Sequence, residues 1–303
     1  MYMILLLRGH IRDSFDNNDL YNLVADISDI VDNLEIHIQT WNIVQSNISW
    51  REIEQDNTIV NEYLIQNYFR RLNIKIIIIL DDSQIKLIGE TSGFVCNTKM
   101  PLGGWKNMIY GIYQGIKNIK EYYKDQEHIV LNMRFDVLRN SFGFKKKQIL
   151  DFVEANCEIV PKINVFLKNE PFLGCDNAFI GSINTMHGLI YRLHSTLDDI
   201  LKNYPDIFHQ EYIVFYESYK QQKHDLVDAQ CPTNLFPSPP VDFLMKYDIS
   251  SKTPVDILQR TNNVVLKTPL PQLKMKMYNS KKNNLVMPIT QSKTMPKIIL
   301  KRP

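Results

Sequence analysis

An α/β layered domain is what this sequence predicts over roughly its first 220 residues, and three features predict it. Strand-like apolar runs alternate with segments of helical period, the pattern that builds a largely parallel sheet with helices on its faces. The run Ile74–Leu80, IKIIIIL, is the clearest of the apolar stretches and reads as a buried strand. Two other runs stop abruptly at charge: Met1–Leu7 breaks at Arg8-Gly9-His10-Ile11-Arg12, and the run from Ile129 ends on Arg134-Phe135-Asp136. Open α/β sheets bind their ligands at the C-terminal edge, where such strand ends arrive.

The elements follow in order. After the first strand, Leu20–Leu34 carries apolar residues at helical spacing (Leu20, Leu23, Val24, Ile27, Ile30, Val31, Leu34), with Asp26, Asp29 and Asp32 on the other face. Glu35–Thr40 alternates as a strand and runs into Thr40-Trp41-Asn42. A helix over Ile59–Leu72 precedes the Ile74–Leu80 strand. Gly103-Gly104 marks a loop, and Trp105–Tyr123 reads as a long amphipathic helix whose Tyr110, Tyr113 and Ile116 form a core stripe. Ile163–Leu167 suits a short strand, Gly174-Cys175-Asp176-Asn177 a loop, Ala178–Ile180 a strand and Ser182–Asn203 a helix. Phe208–Tyr219 carries no clear period. No internal repeat is visible.

Composition changes near Asp228. Ten of the fourteen prolines lie from Pro232 onward and no glycine follows Gly188, so residues 229–303 read as an extended Pro-rich arm beside a domain spanning 1–228. Its apolar residues, among them Phe236, Phe243 and Leu266, favour partial docking on that domain. Lys267–Pro303 holds eight lysines, one arginine and no acid, a charge of +9. The net charge of +2 therefore leaves −7 on the preceding 266 residues. Phosphate contacts need a basic surface, so nucleic-acid binding through the body is disfavoured. The four cysteines form no CxxC pair, which argues against zinc and a disulfide framework and for reduced thiols in the cytoplasm. The apolar start is too short for a signal sequence, and no stretch approaches a membrane span.

One strand ending in cations and another ending in a carboxylate suit an anionic, hydroxyl-rich ligand. In the first loop, Gly9 permits close backbone approach and Arg8 offers a bidentate fork to phosphate. Arg12 either joins it or is solvated or paired with Asp13 and Asp16. Arg134 and Asp136 either serve that ligand or form a local ion pair capping the strand. Thr40-Trp41 either stacks on a base or closes the core. Asp81 and Asp82 form a rival metal pair, but adjacent carboxylates on a strand end point to opposite faces and rarely serve one ion, so a turn is their simpler role. His187 and His194 share a helix face, a spacing that suits surface or core histidines as well as a metal pair.

The segments ILLLRGHIRDSF, IHIQTWN, NISWRE, GGWKNMIYGIYQGIKNIKEYYKDQEHIVLNMRFD and GCDNAFIGSINTMHGLI, in this order, resemble the capsule- and lipopolysaccharide-type glycosyltransferases of bacteria and large DNA viruses. The similarity covers about Met1–Tyr219. It implies a GT-A-like (Rossmann-like) mixed sheet flanked by helices, a nucleotide-sugar donor and a glycan hydroxyl acceptor. The location implied is the cytoplasm, a host's if the chain is viral. Donor contacts fall to Arg8, Gly9, His10, Arg12, Thr40, Trp41, Lys106, Asn107, Arg134 and Asp136. A Mn²⁺ or Mg²⁺ ion would rest on Asp136, although Arg134 stands where better-known relatives carry the first aspartate of Asp-x-Asp. An inverting transfer needs a base, and Asp176 is the first candidate, Glu211 the second. Loss of that first carboxylate supports an alternative, a catalytically silent domain that binds a glycan or a protein. A third reading is a scaffold component acting through the basic arm.

Overall fold

In the computed structural model of the chain, the described residues are 2–229 other than 125, 140–143, 159, 162, 168–175 and 208, with backbone alone over 222–229. Apart from Ala229, the arm expected over 229–303 lies outside the described residues. The elements run β1 (Tyr2–Arg8), α1 (Asp19–Ile30), β2 (Asn33–Trp41), β3 (Ile43–Gln45), β4 (Asp56–Ile59), α2 (Glu62–Tyr68) and β5 (Ile74–Leu80). They continue with α3 (Leu102–Tyr123), β6 (Ile129–Arg134), α4 (Lys146–Asn156), β7 (Val165–Phe166), β8 (Ala178–Ser182), α5 (Ile183–Ser195), α6 (Leu197–Leu201) and α7 (Glu211–Ala229). Among the described residues, no helix is long and apolar enough to cross a membrane.

Six strands form one mixed, mostly parallel sheet in the order β5-β2-β1-β6-β8-β7. β1 runs parallel to β2 and β6, β2 parallel to β5, and β8 antiparallel to β6 and β7. β3 and β4 pair separately as a small antiparallel ribbon. Strand side chains alternate between faces. Met3, Leu5 and Leu7 join a core with Leu20, Leu23, Val24 and Ile27 of α1, Ile65 of α2, and Ile149 and Val153 of α4. On the opposite face Leu6 lies against α3, where a Cβ built on Gly115 would stand 2.8 Å from a Leu6 methyl. Helices therefore cover both faces, an arrangement compatible with a Rossmann-like fold, as the alternation of periods predicts.

Three expectations are corrected. Ile74–Leu80 is the edge strand, bonded only to β2, and its isoleucines are half-buried. A continuous apolar run does not distinguish a covered strand from an edge packed mainly on one face. Gly103 and Gly104 lie in the first turn of α3 after Pro101, not in a loop. Their lack of side chains is needed for approach: a Cβ at Gly103 would meet the Thr91 carbonyl at 3.0 Å, and one at Gly104 would meet Ile48 at 2.8 Å. The helix expected over Ser182–Asn203 breaks between α5 and α6 at Thr196, which has φ −130°. The Ser195 and Thr196 hydroxyls there donate to the Tyr191 and Arg192 carbonyls, the local bonding that competes with helix propagation.

A candidate anion site at the sheet switch point

The strand order reverses beside β1. The chain leaves β1 through α1 to β2 on one side, and returns through α3 to β6 on the other. The C-terminal ends of β1 and β6 therefore flank a crevice, the position where open α/β sheets bind ligands. Arg8 and Arg134 are register partners across it. Because β8 is antiparallel, its N-terminal end, with Asp176 and Asn177 just before it, reaches the same edge. A cavity there is lined, among the residues the sequence singles out, by Arg8, Gly9, His10, Arg12, Trp41, Asn107, Arg134, Asp136 and Asp176.

Two neighbouring guanidiniums repel, so the edge holds them only with anions between. Arg134 forms a bidentate pair with Asp136, Nε to Oδ1 at 2.7 Å and Nη2 to Oδ2 at 2.8 Å, and its Nη1 lies 3.3 Å from Asp176 Oδ2. Arg12 Nη1 donates to Asp136 Oδ2 at 2.5 Å. Arg8 is fully buried and donates through Nε to Asn132 Oδ1 at 2.8 Å and through Nη2 to the Asp176 main-chain carbonyl. Burial opposes ionisation of Asp136, yet the Arg134 and Arg12 guanidiniums outweigh it and hold its pKa well below the carboxylate range. Burial likewise opposes the Arg134 charge, and Asp136 and Asp176 more than restore it. Burial pulls the Arg8 pKa down to about 9, so it stays cationic at neutral pH.

The loop after β1 is shaped by two left-handed residues, Gly9 at φ +96° and Arg12 at φ +53°. Glycine accepts that conformation without penalty, whereas an arginine there is strained and must be held by its surroundings. The Gly9 N–H donates to the Gln39 carbonyl at 3.1 Å and the Thr40 hydroxyl donates to the Gly9 carbonyl at 2.9 Å. Thr40 thus fastens the loop and does not line the cavity. His10 stacks on Trp41 with ring centroids 5.6 Å apart. Burial first, then Arg12, lowers its pKa to about 3, so the imidazole is neutral at physiological pH.

Lys106 is turned away from the cavity: its ammonium meets Asp198 Oδ1 at 2.5 Å and the Ile88 carbonyl at 2.7 Å. Glu211, the first residue of α7, is buried and does not line the cavity, although its charge helps raise the Arg134 pKa. Asp81 caps the turn after β5, accepting from the Ser83 N–H, while Asp82 reaches the cavity wall. His187 and His194 sit among Tyr113, Tyr110 and Tyr191 between α3 and α5. The residues the sequence reading did not assign include Gln39, Trp50, Arg51, Met108 and Gln210. Trp50 and Arg51 come from the β3–β4 connection, with the guanidinium 4.9 Å from the indole centroid. NISWRE signalled them, but no periodicity in that stretch says where it folds back.

A divalent cation seeks several free oxygens. Here both Asp136 oxygens accept from guanidiniums, and among the described residues no group of three or more His, Cys, Asp or Glu could hold a metal. The donor set, as arranged, does not fit Mn²⁺ or Mg²⁺. Comparison of the chain with protein-family models and with curated proteins finds no match.

Proposed function

We propose that the chain is a glycosyltransferase with a GT-A-like domain, moving a sugar from a nucleotide-sugar donor to a glycan hydroxyl. The observation that carries this reading is the arginine-rich cavity at the switch point, where Arg8, Arg12 and Arg134 meet two carboxylates below an aromatic wall. The arginines bind the donor diphosphate and compensate its charge as it departs. Trp41 and His10 flank the flat base or the ribose.

In an inverting transfer, Asp176 takes the proton from the acceptor hydroxyl. The hydroxyl oxygen then bonds the anomeric carbon, and the bond to the diphosphate oxygen breaks with its electron pair leaving on that oxygen. The Asp176 Oδ1 atom is buried without a hydrogen-bond partner, which suits an acceptor awaiting a donor. Glu211, away from the cavity wall, suits a positioning role towards Arg134.

The Arg134–Asp136 pair favours the second reading, a silent domain that binds without turnover, because the carboxylate that would hold a metal is committed to guanidiniums. The test is a thermal-shift screen of nucleoside diphosphates and nucleotide sugars, each with Mn²⁺, Mg²⁺ or EDTA. A ligand that binds only the native state raises the melting temperature. A shift confined to one nucleotide family supports a donor site, and no shift for any of them overturns it. Release of nucleoside diphosphate from that donor, with or without a glycan acceptor, separates transferase from silent binder.

A further inference from the structure

The charges lining the cavity are not those of a cation site. Among the described residues, Arg8, Arg12, Arg51 and Arg134 face Asp82, Asp136 and Asp176, and neutral His10 adds nothing, so four positive charges oppose three negative ones there. The first 266 residues carry −7 in total, so this concave surface runs against the balance of the chain around it. A divalent ion would have to displace guanidiniums from Asp136 and would then stand beside them, each repulsion strengthened by the low dielectric of a buried edge.

A phosphate meets the opposite situation. Arg12 reaches Asp136 through Nη1, and its Nε is buried without a partner. Trp105 also lines the cavity, and its indole N–H is a second buried donor without an acceptor. Unpaired buried donors cost free energy until an acceptor arrives, and a diphosphate is rich in acceptors. Arg12 also occupies the strained left-handed conformation, a form of strain that gathers at ligand clamps.

We infer that this cavity binds the diphosphate of its ligand without a divalent cation, with Arg8, Arg12 and Arg134 supplying the positive charge that a metal ion provides elsewhere. Asp136 is then the internal counter-ion that keeps the forks aligned, and Arg12 is the fork that turns from it towards phosphate. The inference rests on the phosphate-binding half of the function proposed above.

The experiment is calorimetric titration of the full chain with inorganic pyrophosphate, once in EDTA and once in MgCl₂, using the wild type and Arg12→Gln. Binding in EDTA that is no tighter in MgCl₂ is the expected result. Arg12→Gln should weaken it about tenfold or more, the effect of losing a charge-assisted bond. Binding that requires Mg²⁺, absence of binding under both conditions, or an Arg12→Gln variant that binds as wild type would overturn the inference. Because the wild-type comparison needs no substitution, a misfolded variant does not blunt the test. A chain that binds pyrophosphate without metal, but no nucleotide sugar, loses the transfer reading and keeps the arginine cradle. One that binds a nucleotide sugar only with Mg²⁺ does the reverse.

Discussion

At Asp136, two guanidiniums and burial meet on one carboxylate, so its removal has effects that can be separated from ligand binding. Asp136→Asn removes the carboxylate that Arg12 and Arg134 share and leaves Arg134 its longer contact to Asp176, and truncating a buried ion pair costs about 3–5 kcal/mol. Chemical denaturation should show a loss of that order. Because the folded-state pKa of Asp136 lies below the unfolded value, its contribution is present above about pH 4 and is lost as pH falls through the folded pKa. The gap in melting temperature between wild type and Asp136→Asn should therefore narrow below pH 4. A gap that stays constant would mean that Asp136 is not held ionised by its partners. Asp176 tests the chemistry. If it is the base, Asp176→Asn should lower the transfer rate about 100-fold or more with donor affinity little changed. A near wild-type rate would remove it from that role.

At the scale of elements, the close seating of α3 on the sheet connects fold to site. Gly115 lets the helix lie against Leu6, and Gly104 lets its first turn lie against Ile48, which borders the cavity. Gly115→Val should cost about 2 kcal/mol through overpacking, despite a helix propensity better than that of glycine. Thermal unfolding measures this, and an unchanged melting temperature would mean that the helix can lift without penalty. The α3 period was legible because a long amphipathic helix repeats its pattern over many turns. Its start was not, since two glycines read as a loop unless the chain they press against is known. The edge position of β5 was hidden for a similar reason: burial of one face and of both can be written with the same isoleucines.

For the whole molecule, the described residues lining the cavity lie between Arg8 and Gln210, although the cavity gathers strand ends, a helix start and the β3–β4 connection. A chain ending at Leu266, which lacks the +9 segment, should bind pyrophosphate within about twofold of the full chain at fixed ionic strength. A larger loss would assign part of the site to the basic segment.

The sequence by itself determined the alternation of strands and helices and the charged ends of β1 and β6, which bring Arg8, Arg134 and Asp136 to the cavity. Those follow from local periodicity and from apolar runs that stop at charge. Only the tertiary structure decided that Arg134 grips Asp136 twice, that Arg12 shares that carboxylate, that Lys106 turns to Asp198, and that Trp50 and Arg51 join the wall. Arg12 and Asp136 are 124 residues apart in the chain and meet because β1 and β6 are paired neighbours, an arrangement set by burial across distant segments.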